Sequence, residues 1–304
     1  MMTTAAIVHK AWQTGMVVPA FNIPYLPMIK PTVAALRDTN SFGLVVVARL
    51  EWVKFQAQSP EAVSAEYQRW QAPRHTRLHL DHVPVIDEDD LRVPFAEDIA
   101  RALRAGFQSV MVDGSRLPFA ENVACTQRIV ALAHAAGVAV EAELGAVLGH
   151  EAGPLPPYEE LFASGKGFTD PAEAHAFVAA TGVDWLSVAI GNIHGAISAV
   201  ARDQRKIAAR LNIERLAAIN RAANVPLVLH GGTGIAKTCI TDAIRAGIAK
   251  INVATATRQA YEQAGGNGSA HACDAVYNIV KSLVCDEVGM QNSADALLGK
   301  TSSR

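Results

Sequence analysis

The sequence predicts a closed (β/α)8 barrel, and three observations carry that expectation. Eight short runs rich in apolar, β-branched residues recur along the chain, at 17–22, 43–49, 77–81, 108–113, 138–143, 184–190, 225–230 and 249–254. Each run is nearly continuous in apolar residues, as a parallel strand covered on both faces should be. Between the runs lie Ala-rich stretches with apolar residues at three- and four-residue spacing, as at 96–105, 119–136, 171–180, 212–223 and 236–246. Eight such repeats in one series argue for a closed barrel over an open, doubly wound sheet.

The punctuation of the chain agrees. Thr169-Asp170-Pro171 reads as a cap followed by proline at a first helical position, and Gly137 and Gly182 end their helices ahead of the next strand. The expected organisation is a single barrel domain over 1–304. Within it, 144–169 is a long active-site loop and 255–304 a helical C-terminal extension, interrupted by Gly265-Gly266-Asn267-Gly268. Loops of that length on the active face of a barrel often act as lids.

Composition narrows the function classes. Half of the 304 residues are hydrophobic, ample for a large core, and the formal net charge is −2. Nothing in that balance suits nucleic acid or an anionic membrane surface. No apolar run approaches the roughly 20 residues needed to span a bilayer, and the N-terminus lacks the pattern of an export signal. Cys125, Cys239, Cys273 and Cys285 form no C-x-x-C pair, so a reducing cytoplasm is the expected setting.

Chemistry in such a barrel collects at the C-terminal ends of the strands. There the sequence places Asp81-His82 after the third run, Glu141 and Glu143 on the fifth, and Gly191-Asn192-Ile193-His194-Gly195 after the sixth. His230-Gly231-Gly232-Thr233-Gly234 follows the seventh run, and Asn252 lies on the eighth. Three histidines on one rim leave an ion with an open position, the arrangement of a catalytic rather than a structural metal site. Glu141 and Glu143 share a face, being two residues apart on a strand. The glycine run is expected to open a helix directly after the seventh strand, where free N–H groups form an anion site. Lys250 is read as the start of a strand, away from the middle of the rim.

Taken together, these stretches resemble the class II fructose-bisphosphate and tagatose-bisphosphate aldolase family. The likeness runs from Val18-Pro19-Ala20-Phe21-Asn22 to Lys250-Ile251-Asn252-Val253-Ala254-Thr255. It passes through His79-Leu80-Asp81-His82, Ser109-Val110-Met111-Val112-Asp113-Gly114-Ser115 and Val140-Glu141-Ala142-Glu143-Leu144-Gly145. The resemblance implies a zinc ion held by His82, His194 and His230, and allows a monovalent cation in addition. It implies Asp81 as acid/base, Glu143 as the carboxylate beside the metal and Glu151 as a base on the lid. Asn22, Gly195, Gly231, Gly232, Thr233, Asn252, Val253, Ala254 and Thr255 would hold the substrate and its phosphate. The implied reaction is reversible cleavage of a ketose phosphate or bisphosphate to dihydroxyacetone phosphate and an aldehyde, through an enediolate. The implied assembly is a homodimer or homotetramer. A zinc-dependent epimerase or hydrolase acting on a sugar phosphate is the alternative.

Some positions depart from the family pattern. Val83-Pro84-Val85 follows His82 where a small residue is usual, Ala48 stands in place of a common serine, and Leu148 replaces a lid glycine. Beyond the eighth strand no clear counterpart of the arginine that grips a distal phosphate is evident. These departures predict a substrate other than fructose 1,6-bisphosphate.

Overall fold

The computed structural model describes residues 2–145, 158–192 and 210–300. Eight parallel strands pair in sequence order and the eighth returns to the first, closing the barrel. They are β1 (Val18–Asn22), β2 (Gly43–Ala48), β3 (Thr76–Pro84), β4 (Ser109–Asp113), β5 (Ala139–Leu144), β6 (Trp185–Val188), β7 (Leu227–Leu229) and β8 (Ile248–Val253). All eight expected runs are therefore strands.

Helix α1 (Thr4–Gln13) precedes the barrel, and α2 (Ile29–Asp38) follows β1. After β2 come α3 (Arg49–Val53) and α4 (Pro60–Trp70), then α5 (Phe95–Ala105) and α6 (Phe119–Ala135) after β3 and β4. Helices α7 (Tyr158–Ser164) and α8 (Pro171–Thr181) follow β5, α9 (Ile213–Ala223) follows β6 and α10 (Lys237–Arg245) follows β7. After β8 the chain forms α11 (Thr255–Gln263), α12 (Ala270–Ser282) and α13 (Ser293–Leu298). This is a TIM barrel with extra helices. The stretch expected as one irregular loop at 144–169 carries α7 in its described part, while 146–157, including Leu148, lie outside the described residues.

Local signals act where they were expected. The Asp170 side chain accepts from the Ala172 and Glu173 N–H groups at the start of α8, and Gly182 ends that helix in the left-handed region at φ 67°. Outward strand residues such as Leu78, Leu80, Val110 and Val140 pack with the helices in one core. A second, smaller cluster fills the N-terminal end of the barrel. There Ile7, Val8 and Ala11 of α1 meet Val18, Leu44, Val46, Trp185 and Val228. At about 25 cal/mol per Å2 of apolar surface, such side chains each contribute about 1.5–3 kcal/mol. Helix α1 therefore caps one end of the barrel and leaves the other for chemistry.

Between β3 and β4 the register slips, with Leu80 opposite Val110 but Val83 opposite Val112. Asp81 and His82 thus share one position on the partner strand, and His82 sits at φ 20°. Regular strand neighbours point to opposite faces. A bulge relaxes that rule, and here it lets two consecutive side chains turn toward the same pocket.

Among the described residues no helix is long and apolar enough to cross a membrane. All four cysteines are free and half-buried.

Candidate active site

A pocket at the C-terminal mouth is lined by Asn22, Asp81, His82, His230 and Asn252, and it extends outward to Ala48, Glu51 and Thr255. Its centre is built on two imidazoles. His82 Nδ1 donates to Asp113 Oδ2 at 3.2 Å, and His230 Nε2 donates to Glu141 Oε1 at 2.8 Å. Each ring is left with one nitrogen, and those two, His82 Nε2 and His230 Nδ1, face each other in a hydrogen bond.

The charges around them bias the two rings in opposite directions. Burial disfavours charge on His82, but the bond to Asp113 and the charges of Asp81 and Glu143 overrule it and push its pKa up to about 10. Burial and the adjacent His82 cation push His230 down. The two facing nitrogens thus belong to rings whose outer nitrogens already face carboxylates. That is the donor set a divalent cation takes over, because carboxylate partners orient metal-ligating histidines. Ligand atoms of Asp81, His82 and His230 come within 4.8 Å of one another, as do those of His82, Asp113 and Glu143. The residues present fit a metal. His194, Gly195 and Glu151 lie outside the described residues.

Asp81 is 1% exposed. Asn252 Nδ2 donates to both of its oxygens at 2.9 Å, and Asn22 Nδ2 donates at 3.2 Å. Burial alone would raise its pKa; the Lys250 ammonium and the nearby His79 ring instead hold it well below the carboxylate range. The Asn252 amide oxygen is buried and has no hydrogen-bond partner among the described residues. Glu143 goes the other way. Burial and the neighbouring Asp113 charge push it up to about 8, while Ser187 Oγ donates to it at 3.1 Å.

Beneath the pocket lies an ionic layer that the sequence reading missed. Lys250 was placed at the start of a strand, but it is the third residue of β8 and wholly buried. Its Nζ lies 2.8 Å from Glu141 Oε2 and 3.8 Å from Asp81 Oδ1. Burial tends to raise the Glu141 pKa, yet Lys250 and His230 bring it down to about 2. His79 joins from below, donating to or accepting from Ser109 Oγ at 2.9 Å. Asp113 was also given no role, although it ends β4 as Asp81 lies near the end of β3.

The glycine run needs a correction. Residues 231–236 form a loop, and α10 begins only at Lys237. The backbone of Gly231, at φ 69°, turns the chain immediately after His230. Gly232 N–H then donates to the Asn252 carbonyl at 3.2 Å, tying the loops after β7 and β8 together. Gly231, Thr233, Ala254 and Thr255 line the pocket at that corner, next to the N-terminus of α11, the part of a barrel where phosphate often binds. Val253 differs from its neighbours, its side chain being buried in the outer core.

On the opposite wall stand Arg49, Glu51, Glu88 and Arg116. Arg258, on α11, also lines the pocket, so an arginine does follow the eighth strand.

Residues 2–295 match the family model described as fructose-bisphosphate aldolase class-II. The chain belongs to that family. It is an aldolase, a carbon–carbon lyase, and the family implies a sugar phosphate substrate. Among solved structures, the YdjI aldolase of Escherichia coli K12 is 26% identical, with a TM-score of 0.75 over 97% of this chain and 100% of that one. A Coccidioides immitis protein provisionally assigned as a fructose-1,6-bisphosphate aldolase is also 26% identical, with a TM-score of 0.75 over 96% of this chain and 98% of that one. The fructose-bisphosphate aldolase of Campylobacter jejuni shares the fold at 17% identity, with a TM-score of 0.71 over 96% of each chain.

Proposed function

We propose that this aldolase uses a zinc ion held by His82, His194 and His230 to cleave a ketose phosphate reversibly to dihydroxyacetone phosphate and an aldehyde. The observation that carries the reading is the convergence of His82 Nε2 on His230 Nδ1 in a pocket shared with Asp81. A divalent ion there supplies Lewis acidity toward a ketone carbonyl and its neighbouring hydroxyl.

The chain's own residues divide the remaining work. Asp81, kept ionised, takes the C4 hydroxyl proton during cleavage and returns it to the aldehyde oxygen during addition. Asn22 and Asn252 orient that carboxylate. Glu143, with its raised pKa, stands beside the metal ligands. Glu151 is assigned the C3 proton of the enediolate by family resemblance. Backbone N–H groups of Gly231, Thr233, Ala254 and Thr255, with Gly195 and Val253, receive the phosphate of the triose, while Gly232, its N–H tied to the Asn252 carbonyl, shapes that corner. A single-domain barrel, a monovalent cation beside the zinc, a homodimeric or homotetrameric assembly and a cytoplasmic setting belong to the same reading.

The substrate is expected to lack a second phosphate. On the distal wall Arg49 is engaged by Asp98 at 3.2 Å and Asp87 at 3.6 Å. Arg116 is held by Asp90, and Arg258 by Glu262, each at 2.5 Å. The test is triose release from ketose 1-phosphates and 1,6-bisphosphates, with and without chelator. Cleavage that survives complete zinc removal would refute the metal assignment, and equal turnover of both substrate classes would refute the altered distal end.

A further inference from the structure

Glu51 and Glu88 are distal-wall carboxyls without a part in the proposed reaction, and of the two Glu51 is the buried one. It belongs to α3, immediately beyond β2, and is only 6% exposed although it lines the pocket. One oxygen, Oε2, accepts the Ala48 N–H at 2.8 Å. A glutamate that merely back-bonds to a helix start does this equally well from the surface, where it keeps its water. Burying it is costly unless something else meets it. The Asn22 amide lies against both Glu51 and Asp81, so it ties the Glu51 carboxyl to the acid/base candidate in the same pocket. Ala48, at the end of the same strand, brings no hydroxyl of its own.

The rest of this wall favours an uncharged occupant. Leu50, Phe55 and Ile86 supply apolar surface. Glu88 is neutralised by Lys54 at 2.8 Å, and the three arginines are engaged by carboxylates as described above.

Resting on the aldolase reading, we propose that Glu51 determines specificity for the aldehyde half, holding a hydroxyl of a non-phosphorylated hydroxyaldehyde. With burial pushing its pKa up to about 8, the carboxyl carries a proton at neutral pH and offers both an O–H donor and an acceptor. A substrate hydroxyl can use either.

The experiment measures addition of dihydroxyacetone phosphate to glyceraldehyde, glyceraldehyde 3-phosphate and propionaldehyde by the zinc-loaded chain. The parent protein should prefer glyceraldehyde to both others. In Glu51→Ala the ratio of kcat/KM for glyceraldehyde over propionaldehyde should fall about tenfold, the value of one hydrogen bond of about 1.4 kcal/mol. The loss should appear mainly in KM for the aldehyde. Glu51→Gln, which keeps a donor, an acceptor and the shape, should recover part of the ratio and covers the case in which the alanine variant misfolds. A parent chain that adds to none of the aldehydes overturns the aldolase reading itself. A parent that is active, with the same ratio in both variants or with glyceraldehyde 3-phosphate as its best acceptor, overturns the role of Glu51 alone.

Discussion

Asp113 and Glu141 decide which nitrogen each imidazole offers. With Asp113 replaced by Asn, the His82 ring loses a charged acceptor and can turn over. Asp113→Asn should lower zinc affinity about 10–100-fold, as read by competition with a chromogenic chelator; unchanged affinity would show that Asp113 does not orient the ring. Glu51 gives a stability test with a definite sign. Its folded-state pKa, about 8, lies above the ordinary 4.5, so the unfolded chain ionises first as pH rises. Stability is then lost between roughly pH 4.5 and 8 and is level outside that window. Glu51→Gln should be nearly neutral at pH 4.5 and stabilising by up to about 4 kcal/mol at pH 8, measured by urea denaturation in chelator. An identical gain at both pH values would contradict a buried, protonated Glu51.

At the scale of the element, legibility followed the physics of strands. Parallel strands covered on both faces read as apolar runs, so all eight were visible in the sequence. Asp81, His82 and His230 stood out because polar residues interrupt those runs at the same end. Asp113 and Lys250 did not, since the direction of a strand side chain depends on pairing register. A signal for Lys250 was present: it is two residues from Asn252, so both share a face. The adjacent Asp81-His82 pair inside an apolar run was likewise the trace of the bulge. The helix expected at the glycine run failed because Gly231 and Gly234, at φ 69° and 83°, are turn conformations. Between these, Gly232 serves a packing role. A Cβ there would meet Ile251 Cγ1 at 2.7 Å and the Asn252 carbonyl at 3.1 Å. Gly232→Ala should therefore cost about 1–3 kcal/mol and raise KM for the phosphorylated substrate several-fold. A melting curve and a saturation curve check the two effects separately.

Across the whole molecule, the proposed metal ligands His82 and His230 join β3 to the end of β7 on opposite parts of the barrel. An ion that binds only the folded chain at 100 times its Kd contributes about 2.7 kcal/mol. Zinc should thus raise Tm by roughly 5 °C, and His230→Ala should abolish most of that shift in calorimetry. Because the raised pKa of His82 keeps a proton on it at neutral pH, zinc binding should also release about one proton per ion and weaken as pH falls. Titration calorimetry in buffers of different ionisation enthalpy measures that release, and none would mean that His82 is not protonated there. Meanwhile α1 closes the far end, so the ionic layer of Lys250, Glu141 and Asp81 sits over a dry floor containing Trp185.

The slip in register at residues 80–83 ties two chemical functions to a single kink. The acid/base candidate and an ion-facing ring are chain neighbours, so neither can be repositioned without dragging the other. Removing one residue there would restore regular pleating and swing one of the pair outward among the helices. Anyone reshaping this catalyst for other aldehydes should leave that strand intact and vary the wall around Glu51 instead.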